Sequence, residues 1–207
     1  MPGTDAPAPQ PAVGTDDAFA GLEPTTLWRH FAALTRIPRP SGREQRAVAY
    51  VCEWARTQGF EIRRDATGNL CVRVPASRGR EAAAGVVLQG HLDMVCERNA
   101  DSPHDPEQGC IHVVREGEWL RSEGTTLGAD NGIGIAAAMA IAEERTLQHG
   151  PLELLMTLDE EAGMTGAQGL DPALLVGRTL INLDSEDDGL LFVGCAGGGD
   201  LQLSFQA

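Results

Sequence analysis

The sequence predicts an α/β fold, with a mostly parallel sheet that has helices on both faces. The first observation behind this prediction is that apolar runs alternate with helical periodicity along the 207 residues. The second is that the runs 85–89 and 152–158 are apolar almost throughout, which is typical of strands buried on both faces. The third is an alanine-rich, nearly all-apolar helix from about 133 to 144, which we expect to be buried.

Two segments of different composition divide the chain. Residues 1–21 are rich in Pro, Ala, Gly, Thr and Asp and contain hardly any large apolar side chain, which predicts a disordered leader. Residues 22–207 carry the periodic segments and are predicted to form the domain. With 42% hydrophobic residues overall, the chain has ample material for a packed core.

Two amphipathic helices are expected before the first strand. The first begins near Pro24, because proline is favoured in the first turn of a helix. Ser41 and Glu44 have the spacing of a capping box, which predicts the start of a second helix. That helix runs to Gln58, and Gly59 is placed to end it.

The remaining elements are short strands separated by glycine and proline. Each of them is predicted from alternating polar and apolar residues, or from an apolar run, with turn residues on either side. A short helix is predicted between 170 and 176. The predicted strands are 60–63, 70–74, 85–89, 111–114, 118–121, 152–158, 180–184, 190–193 and 201–205.

The net charge of −14 argues against nucleic acid or an anionic membrane as a partner, since both require clustered basic residues. All 16 basic residues are arginines, so a P-loop lysine, a Schiff-base lysine and a lysine general base are excluded. Two explanations remain open for the excess of acidic residues. They form a solvated surface, or some of them gather to bind cations.

Cysteine usage and the absence of targeting signals predict a soluble, cytoplasmic protein. The five cysteines are scattered and never form a CxxC pair, which is typical of reduced thiols. The first twenty residues lack the basic start and apolar core of a signal peptide. The longest apolar run, 133–142, is too short to span a bilayer.

The motif at the end of the apolar run 85–89 is Gly90-His91-Leu92-Asp93-Met94. Because His91 and Asp93 are two residues apart, they point to the same side of an extended chain. A carboxylate beside a histidine is a recurrent way to fix the imidazole tautomer while the other ring nitrogen binds a metal. A surface histidine next to a surface aspartate is the alternative when this motif is taken by itself.

Three further acidic sites follow apolar runs or precede a helix. Glu160 and Glu161 end the run 152–158, Asp184 ends the run 180–183, and Asp130 lies in a glycine-flanked loop before the apolar helix. Carboxylates gathered at one sheet edge repel each other unless cations are bound, and a histidine with several carboxylates is a ligand set for zinc, manganese or cobalt. Paired metals can activate a water molecule, and one further carboxylate is then needed to take its proton.

Other motifs are weaker. There is no GxSxG, and the glycine-rich stretch 194–199 contains no GxGxxG, so a serine nucleophile and a dinucleotide site are not indicated. His30 lies on an apolar helix face and is predicted to be structural. His104, His112 and His149 lie in loop or hairpin segments and are spare candidates for metal ligands.

Four segments together resemble the aminoacyl-histidine dipeptidases, also called Xaa-His or cytosol non-specific dipeptidases. They are GHLDMVCE, RSEGTTLGADNGIGIAAAMAI, HGPLELLMTLDEEAGMTGA and INLDSEDDGLLFVGCAGG, and the likeness runs from about residue 27 to 198. The resemblance implies a zinc-peptidase-like domain that hydrolyses dipeptides, often with a C-terminal histidine. Two divalent metal ions, zinc and in some members manganese or cobalt, activate the water. Many members are homodimers.

The resemblance also implies a role for each site residue. His91, Asp130 and Asp184 are expected to bind the first metal, with Asp130 bridging to the second metal, which Glu161 binds. Asp93 is expected to orient His91, and Glu160 to act as the general base.

Members of this family are about twice as long as this chain or longer. The resemblance therefore implies that the chain is an N-terminal portion, without the lid and dimerisation domain and without the second metal's histidine. At most one metal site would be fully ligated, so we predict little peptidase activity for the isolated polypeptide. Two alternatives are a related amide hydrolase, of the deacetylase or tripeptidase kind, and a non-catalytic fragment that binds metal or a partner chain.

Overall fold

The computed structural model describes residues 17–185, 187, 189–194, 197 and 204–205. Its main element is a five-stranded sheet in the order β1-β2-β6-β3-β7. These strands are β1 (Glu61–Arg64), β2 (Leu70–Val74), β3 (Val86–His91), β6 (Leu152–Thr157) and β7 (Thr179–Asn182). A separate hairpin consists of β4 (Val113–Glu116) and β5 (Trp119–Ser122).

The sheet is mixed, which corrects the prediction of a mostly parallel one. β3 pairs in parallel with both β6 and β7, whereas β2 pairs antiparallel with β1 and with β6. The β1–β2 pair is antiparallel because a tight turn at Gly68 joins the two strands, and a hairpin connection makes neighbouring strands run in opposite directions. The α/β class itself is confirmed.

Three long helices cover one face of the sheet. They are α1 (Thr25–Leu34), α2 (Gln45–Gln58) and α3 (Ala129–Glu143). Side chains of all three pack on alternate residues of the strands, such as Leu88 and Leu154, in the largest apolar cluster. The predicted bounds of α1 and α2 are close to the observed ones, and α2 ends at Gly59 in the left-handed conformation, as expected.

The opposite face is covered more thinly. A short helix, α4 (Thr165–Gln168), and a single 3₁₀ turn, Pro172–Leu174, replace the helix predicted between 170 and 176. Leu174 packs there against Val87 and Leu155. None of the helices in the described part of the chain is both long and apolar enough to cross a bilayer.

Several segments differ from the sequence-based expectations. The described part of the leader, residues 17–21, forms a turn in which Ala18 is fully buried and Phe19 packs edge-on against Phe31, so it is ordered. Residues 190–193 are not a strand, and their apolar side chains are exposed. The strand predicted at 201–205 and residues 1–16 of the leader lie outside the described residues.

The capping box at Ser41 is also wrong. The Ser41 hydroxyl donates to the Asp93 carboxylate at 2.7 Å, and α2 has no side-chain cap. The Glu44 carboxylate accepts instead from the backbone N–H groups of Gly42 and Asp159, at 2.9 and 3.0 Å. Ser41 therefore bonds to a residue far away in the sequence, whereas Glu44 bonds both to the neighbouring Gly42 and to the distant Asp159.

A partly buried polar network joins the three long helices, with Glu143 at its centre. Its carboxylate accepts hydrogen bonds from the Trp54 indole at 2.5 Å and pairs with the His30 ring at 2.8 Å and with Arg29 at 2.5 Å. The other ring nitrogen of His30 contacts the Tyr50 hydroxyl at 2.9 Å. The buried His30 ring lies within this network, as the prediction of a structural role requires.

Replacing Glu143 with glutamine is expected to lower the free energy of unfolding by about 2–4 kcal/mol, because buried donors on two helices lose a charged acceptor. Urea unfolding followed by circular dichroism measures this loss. Glu144→Gln is the matched control, since the neighbouring carboxylate bonds only to exposed Thr146 and the change should be within about 0.5 kcal/mol. Equal losses in the two variants would contradict a structural role for the network.

Candidate metal centre

Residues from three adjacent parallel strands meet at one edge of the sheet. His91 is the last residue of β3 and is paired in register with Thr157, the last residue of β6. Glu160 and Glu161 follow β6, and Asp184 follows β7 by two residues. Because parallel strands present their carboxyl ends on the same side, these side chains converge where ligands bind in α/β sheets.

The buried His91 ring lies between two sets of carboxylates. Its Nδ1 is 3.2 Å from both the backbone oxygen and Oδ1 of Asp93, while Nε2 is 2.9 Å from Asp130 Oδ1 and 3.7 Å from Asp184 Oδ1. Both partners of Nδ1 are acceptors, so Nδ1 would carry the proton in a ring whose Nε2 binds a metal. In the neutral ring, Nε2 is then the lone-pair nitrogen that faces Asp130 and Asp184.

Asp93 is fully buried and accepts four side-chain or backbone hydrogen bonds. Oδ1 accepts from His91 and from the backbone N–H of Glu160 at 3.0 Å, and Oδ2 accepts from the Ser41 hydroxyl and from the backbone N–H of Glu161 at 3.0 Å. These bonds hold the pKa of the Asp93 carboxyl below its usual range although burial opposes them. Asp93 therefore fixes the His91 ring and the Glu160–Glu161 turn at the same time.

Arg39 lies beneath the same edge, with 1% of its surface exposed. Its guanidinium donates to the backbone oxygens of Leu92 at 3.0 Å, Asp93 at 2.8 Å and Gly128. Burial lowers the pKa of Arg39 to about 10, which still leaves the group charged. The Arg39 guanidinium thus joins the end of β3 to the loop that leads into α3.

Asn131 connects the start of α3 to the end of β7. Asp130 and Asn131 have non-helical backbone angles, so the regular part of α3 begins after them and Asp130 belongs to the preceding turn. The peptide bond between these two residues is cis. The Asn131 amide donates to the Leu183 backbone oxygen at 2.8 Å and to Asp184 Oδ1 at 3.1 Å, so it positions the Asp184 carboxylate.

The electrostatics of the edge favour a positive charge. Burial alone would lower the pKa of His91, but hydrogen bonds to Asp184, Asp93 and Asp130 raise it to about 10. Burial and neighbouring carboxylates raise the pKa values of Glu160 and Glu161. The raised pKa of His91 thus comes from its hydrogen bonds to carboxylates, whereas burial is the larger cause for the two glutamates.

The residues fit a divalent cation. One ligand atom from each of His91, Asp130 and Asp184 lies within 4.8 Å of the others, and the same holds for His91, Glu160 and Glu161. One imidazole nitrogen with several carboxylate oxygens is a donor set for zinc or manganese. Among the described residues, His91 is the one histidine in these two groups.

All six residues singled out from the sequence lie at this edge. They are His91, Asp93, Asp130, Glu160, Glu161 and Asp184. Arg39, Ser41 and Asn131 were missed as site residues. The pattern Arg-Pro at 39–40 is typical of an exposed turn, and Asp-Asn-Gly at 130–132 is typical of a solvent-facing one, so local sequence carried no signal for their buried contacts.

Replacing Gly90 with alanine tests how Asn131 positions Asp184. A Cβ at Gly90 would lie 2.2 Å from Asn131 Oδ1, within a strand that has little freedom to move. We expect Asn131 to be displaced and Zn²⁺ affinity to fall by roughly tenfold or more. Gly85→Ala is the control, because its nearest neighbours are 3.6 Å away. A zinc titration followed by the ¹⁵N shifts of the His91 ring measures the affinity of each variant. Equal affinities in Gly90→Ala and Gly85→Ala would contradict the prediction.

One cavity lies beside the acidic residues at this edge, and a second lies at the other end of the strands. A cavity of about 250 Å³ is lined by Gly128, Asp130 and Glu161. Another cavity, of about 550 Å³, lies near the opposite strand ends, at Gly85 and Leu152, and contains none of the six residues. The smaller cavity lies beside Asp130 and Glu161, so a ligand of these carboxylates could occupy it.

An α/β domain with a histidine and several carboxylates beyond its parallel strands has the donor groups of a divalent-metal site, and sites of this kind occur in peptidases that activate water with a metal ion. The chain is 48% identical over 179 residues to the cytosol non-specific dipeptidase of Escherichia coli (strain K12), covering 86% of this chain and 37% of the relative. No protein-family model matches the sequence.

Solved structures agree with this relationship. The aminoacylhistidine dipeptidase of Vibrio alginolyticus superposes with a TM-score of 0.80 and 48% identity over 83% of this chain and 35% of that one. Aminopeptidase PepT of Bacillus cereus, at 24% identity and a TM-score of 0.67, covers 78% of this chain and 43% of its own and supports the fold alone. The predicted resemblance to the aminoacyl-histidine dipeptidases is confirmed, and the chain spans little more than a third of the length of these dipeptidases.

Proposed function

We propose that this chain provides part of the catalytic domain of a metal-dependent dipeptidase that acts on Xaa-His and related dipeptides. The observation that carries the proposal is the convergence of His91, Asp130 and Asp184 within 4.8 Å at the ends of parallel strands. Its 48% identity to a cytosol non-specific dipeptidase supports the substrate class and a cytoplasmic location.

Each site residue has a proposed role. His91, Asp130 and Asp184 would hold one divalent ion, and Asp130 with Glu161 would contribute to a second. When bound, such ions polarise the scissile carbonyl and make a water molecule more acidic. Zinc is the ion we propose, on the basis of the nitrogen and oxygen donors.

Glu160 is the proposed general base. Its carboxylate is partly buried and follows β6 beside Glu161, where a base could accept a proton from a water molecule and return it to the leaving amine. Its backbone N–H is held by Asp93, so the side chain projects from a fixed point beside His91. Asp93 acts as a positioning residue for both.

The isolated polypeptide is proposed to have little activity. Among the described residues only one histidine reaches the acidic cluster, so the second ion would lack an imidazole ligand. The direct assay is hydrolysis of Gly-His or β-Ala-His by the purified chain in the presence of Zn²⁺ or Mn²⁺. Turnover that disappears in Glu160→Gln would show that the chain needs no further ligand.

A chimera tests the function itself. Residues 22–185 of this chain would replace the matching segment of the Escherichia coli dipeptidase, which supplies the rest of the enzyme. We expect hydrolysis of Xaa-His dipeptides that is lost with a chelator and restored by Zn²⁺ or Mn²⁺. A folded chimera that binds metal but cleaves N-acetylated amino acids in preference to dipeptides would favour the related deacetylase activity.

A non-catalytic, partner-binding role is the second candidate. The observation that favours it is the exposed apolar surface of Leu180, Ile181 and residues 190–193. This role predicts that the chain elutes as a complex with a second polypeptide and that the chimera is inactive. An active chimera would contradict it.

A further inference from the structure

A second group of potential metal ligands lies at the β4–β5 hairpin. One ligand atom from each of His104, His112 and Glu123 lies within 4.8 Å of the others. We call these three residues the hairpin cluster. None of them belongs to the cluster around His91, so the two groups have no ligand in common.

The side chains of the hairpin cluster are already in contact. The rings of His104 and His112 stack with their centroids 5.0 Å apart and their planes 19° from parallel. His112 Nδ1 is 2.6 Å from Glu123 Oε2, which leaves Nε2 and the ring nitrogens of His104 as further donors. The Glu123 side chain is 62% exposed, so a cation can enter without crossing the protein interior.

Backbone pairing fixes two of the three residues. The N–H of Glu123 donates to the His112 oxygen at 2.9 Å, which continues the β4–β5 pairing one step beyond Val113 and Ser122. His112 and Glu123 are therefore cross-strand neighbours, and their side chains lie on the same face of the hairpin. A strand pair is a rigid platform for two metal ligands.

A separate set of hydrogen bonds holds the loop that carries His104. The Asn99 N–H donates to the oxygen of Gly124 at 2.9 Å, and the Ser102 N–H donates to the Asn99 oxygen at 3.0 Å. The Ser102 hydroxyl then accepts from the His104 N–H at 3.2 Å. This chain of bonds starts at the residue after Glu123, so the loop and the hairpin end are tied together without any ion.

We propose that the hairpin cluster binds one divalent d-block cation, of which zinc is the best match, through two imidazole nitrogens and one carboxylate oxygen. Two histidines with one glutamate form a known type of zinc donor set, with water completing the coordination. The bound ion would join the 98–110 loop to the hairpin, on a part of the surface separate from the site proposed for peptide hydrolysis. This inference does not depend on the proposed function.

The test uses the metal-free 207-residue chain, labelled with ¹⁵N and titrated with Zn²⁺ at pH 7.5 (about one unit above the ordinary histidine pKa). The chain has five histidines, so the ring nitrogens can be assigned with single variants. We expect the ring signals of His104 and His112 to shift together and to saturate at one equivalent for this site. Asp184→Asn, which weakens the His91 cluster, should leave these shifts unchanged.

Variants distinguish a zinc-binding site from three side chains that merely lie close together. Glu123→Gln is expected to weaken zinc binding at the hairpin cluster by at least about tenfold, as is His104→Ala, which leaves the cross-strand pair intact. His149→Ala lies outside the cluster and should change nothing. Unchanged His104 and His112 signals in the wild-type chain with excess Zn²⁺, or equal affinity in Glu123→Gln, would overturn the proposal.

Discussion

Replacing Asp93 with asparagine is expected to weaken divalent-metal binding at the His91 cluster by roughly 10- to 100-fold. The Asp93 carboxylate accepts from four donors, two on each oxygen. An asparagine keeps one oxygen that accepts hydrogen bonds. Its NH₂ group would take the place of the second oxygen and would face two donors, to which it cannot bond. The His91 ring and the Glu160–Glu161 turn would both lose their fixed positions.

The same variant is expected to lower the free energy of unfolding by about 3 kcal/mol or more, because a buried, hydrogen-bonded charge is lost. Zinc affinity is measured from the His91 ring ¹⁵N shifts, and stability from urea unfolding. Asp101→Asn, in an exposed loop position, is the matched control and should leave both unchanged. Wild-type affinity in a folded Asp93→Asn chain would mean that the carboxylate does not position His91.

In the chimera, changing Glu160 to glutamine is expected to affect catalysis, whereas changing Glu161 to glutamine is expected to affect metal binding. Glu160→Gln should lower kcat by about 10²- to 10⁴-fold with metal affinity nearly unchanged, because it removes a proton acceptor and no ligand. Glu161→Gln should lower metal affinity first and recover part of its activity at high Zn²⁺ concentration.

Steady-state kinetics across a range of Zn²⁺ concentrations distinguish the two glutamates. Because they are adjacent in sequence and both are partly buried, each variant serves as the structural control for the other. If Glu160→Gln lost metal and Glu161→Gln lost only kcat, the proposed roles would be exchanged. Full activity in both would remove these residues from the reaction.

Periodicity in the sequence was sufficient to predict most of the elements that build the site. The apolar runs before His91 and Glu160 are β3 and β6, and the apolar helix after Asp130 is α3. Burial on both faces makes such runs distinctive. The helix predicted at 170–176 is only a 3₁₀ turn at 172–174, and the apolar run 190–193 is exposed and is not a strand.

The supporting contacts of the site depend on residues far apart in the chain. Ser41 has local capping-box spacing, yet its hydroxyl bonds to Asp93, 52 positions away. Arg39 precedes a proline and is polar, and only the folded chain brings it under the carbonyl groups of Leu92 and Gly128. Side chains that could act as ligands were visible in the sequence, whereas the side chains that hold them in place were not.

The position of β7 has a consequence for the order in which the fold opens. Within the described sheet β7 pairs only with β3, and all four of its residues are exposed. Edge segments of this kind unfold locally at a lower free energy than central strands, so their amide protons exchange sooner. Because Asp184 follows β7 by two residues, a cation held by His91 and Asp184 would hold this edge strand against β3. Amide exchange in β7 would then slow in proportion to metal occupancy, while exchange in β6 would hardly change.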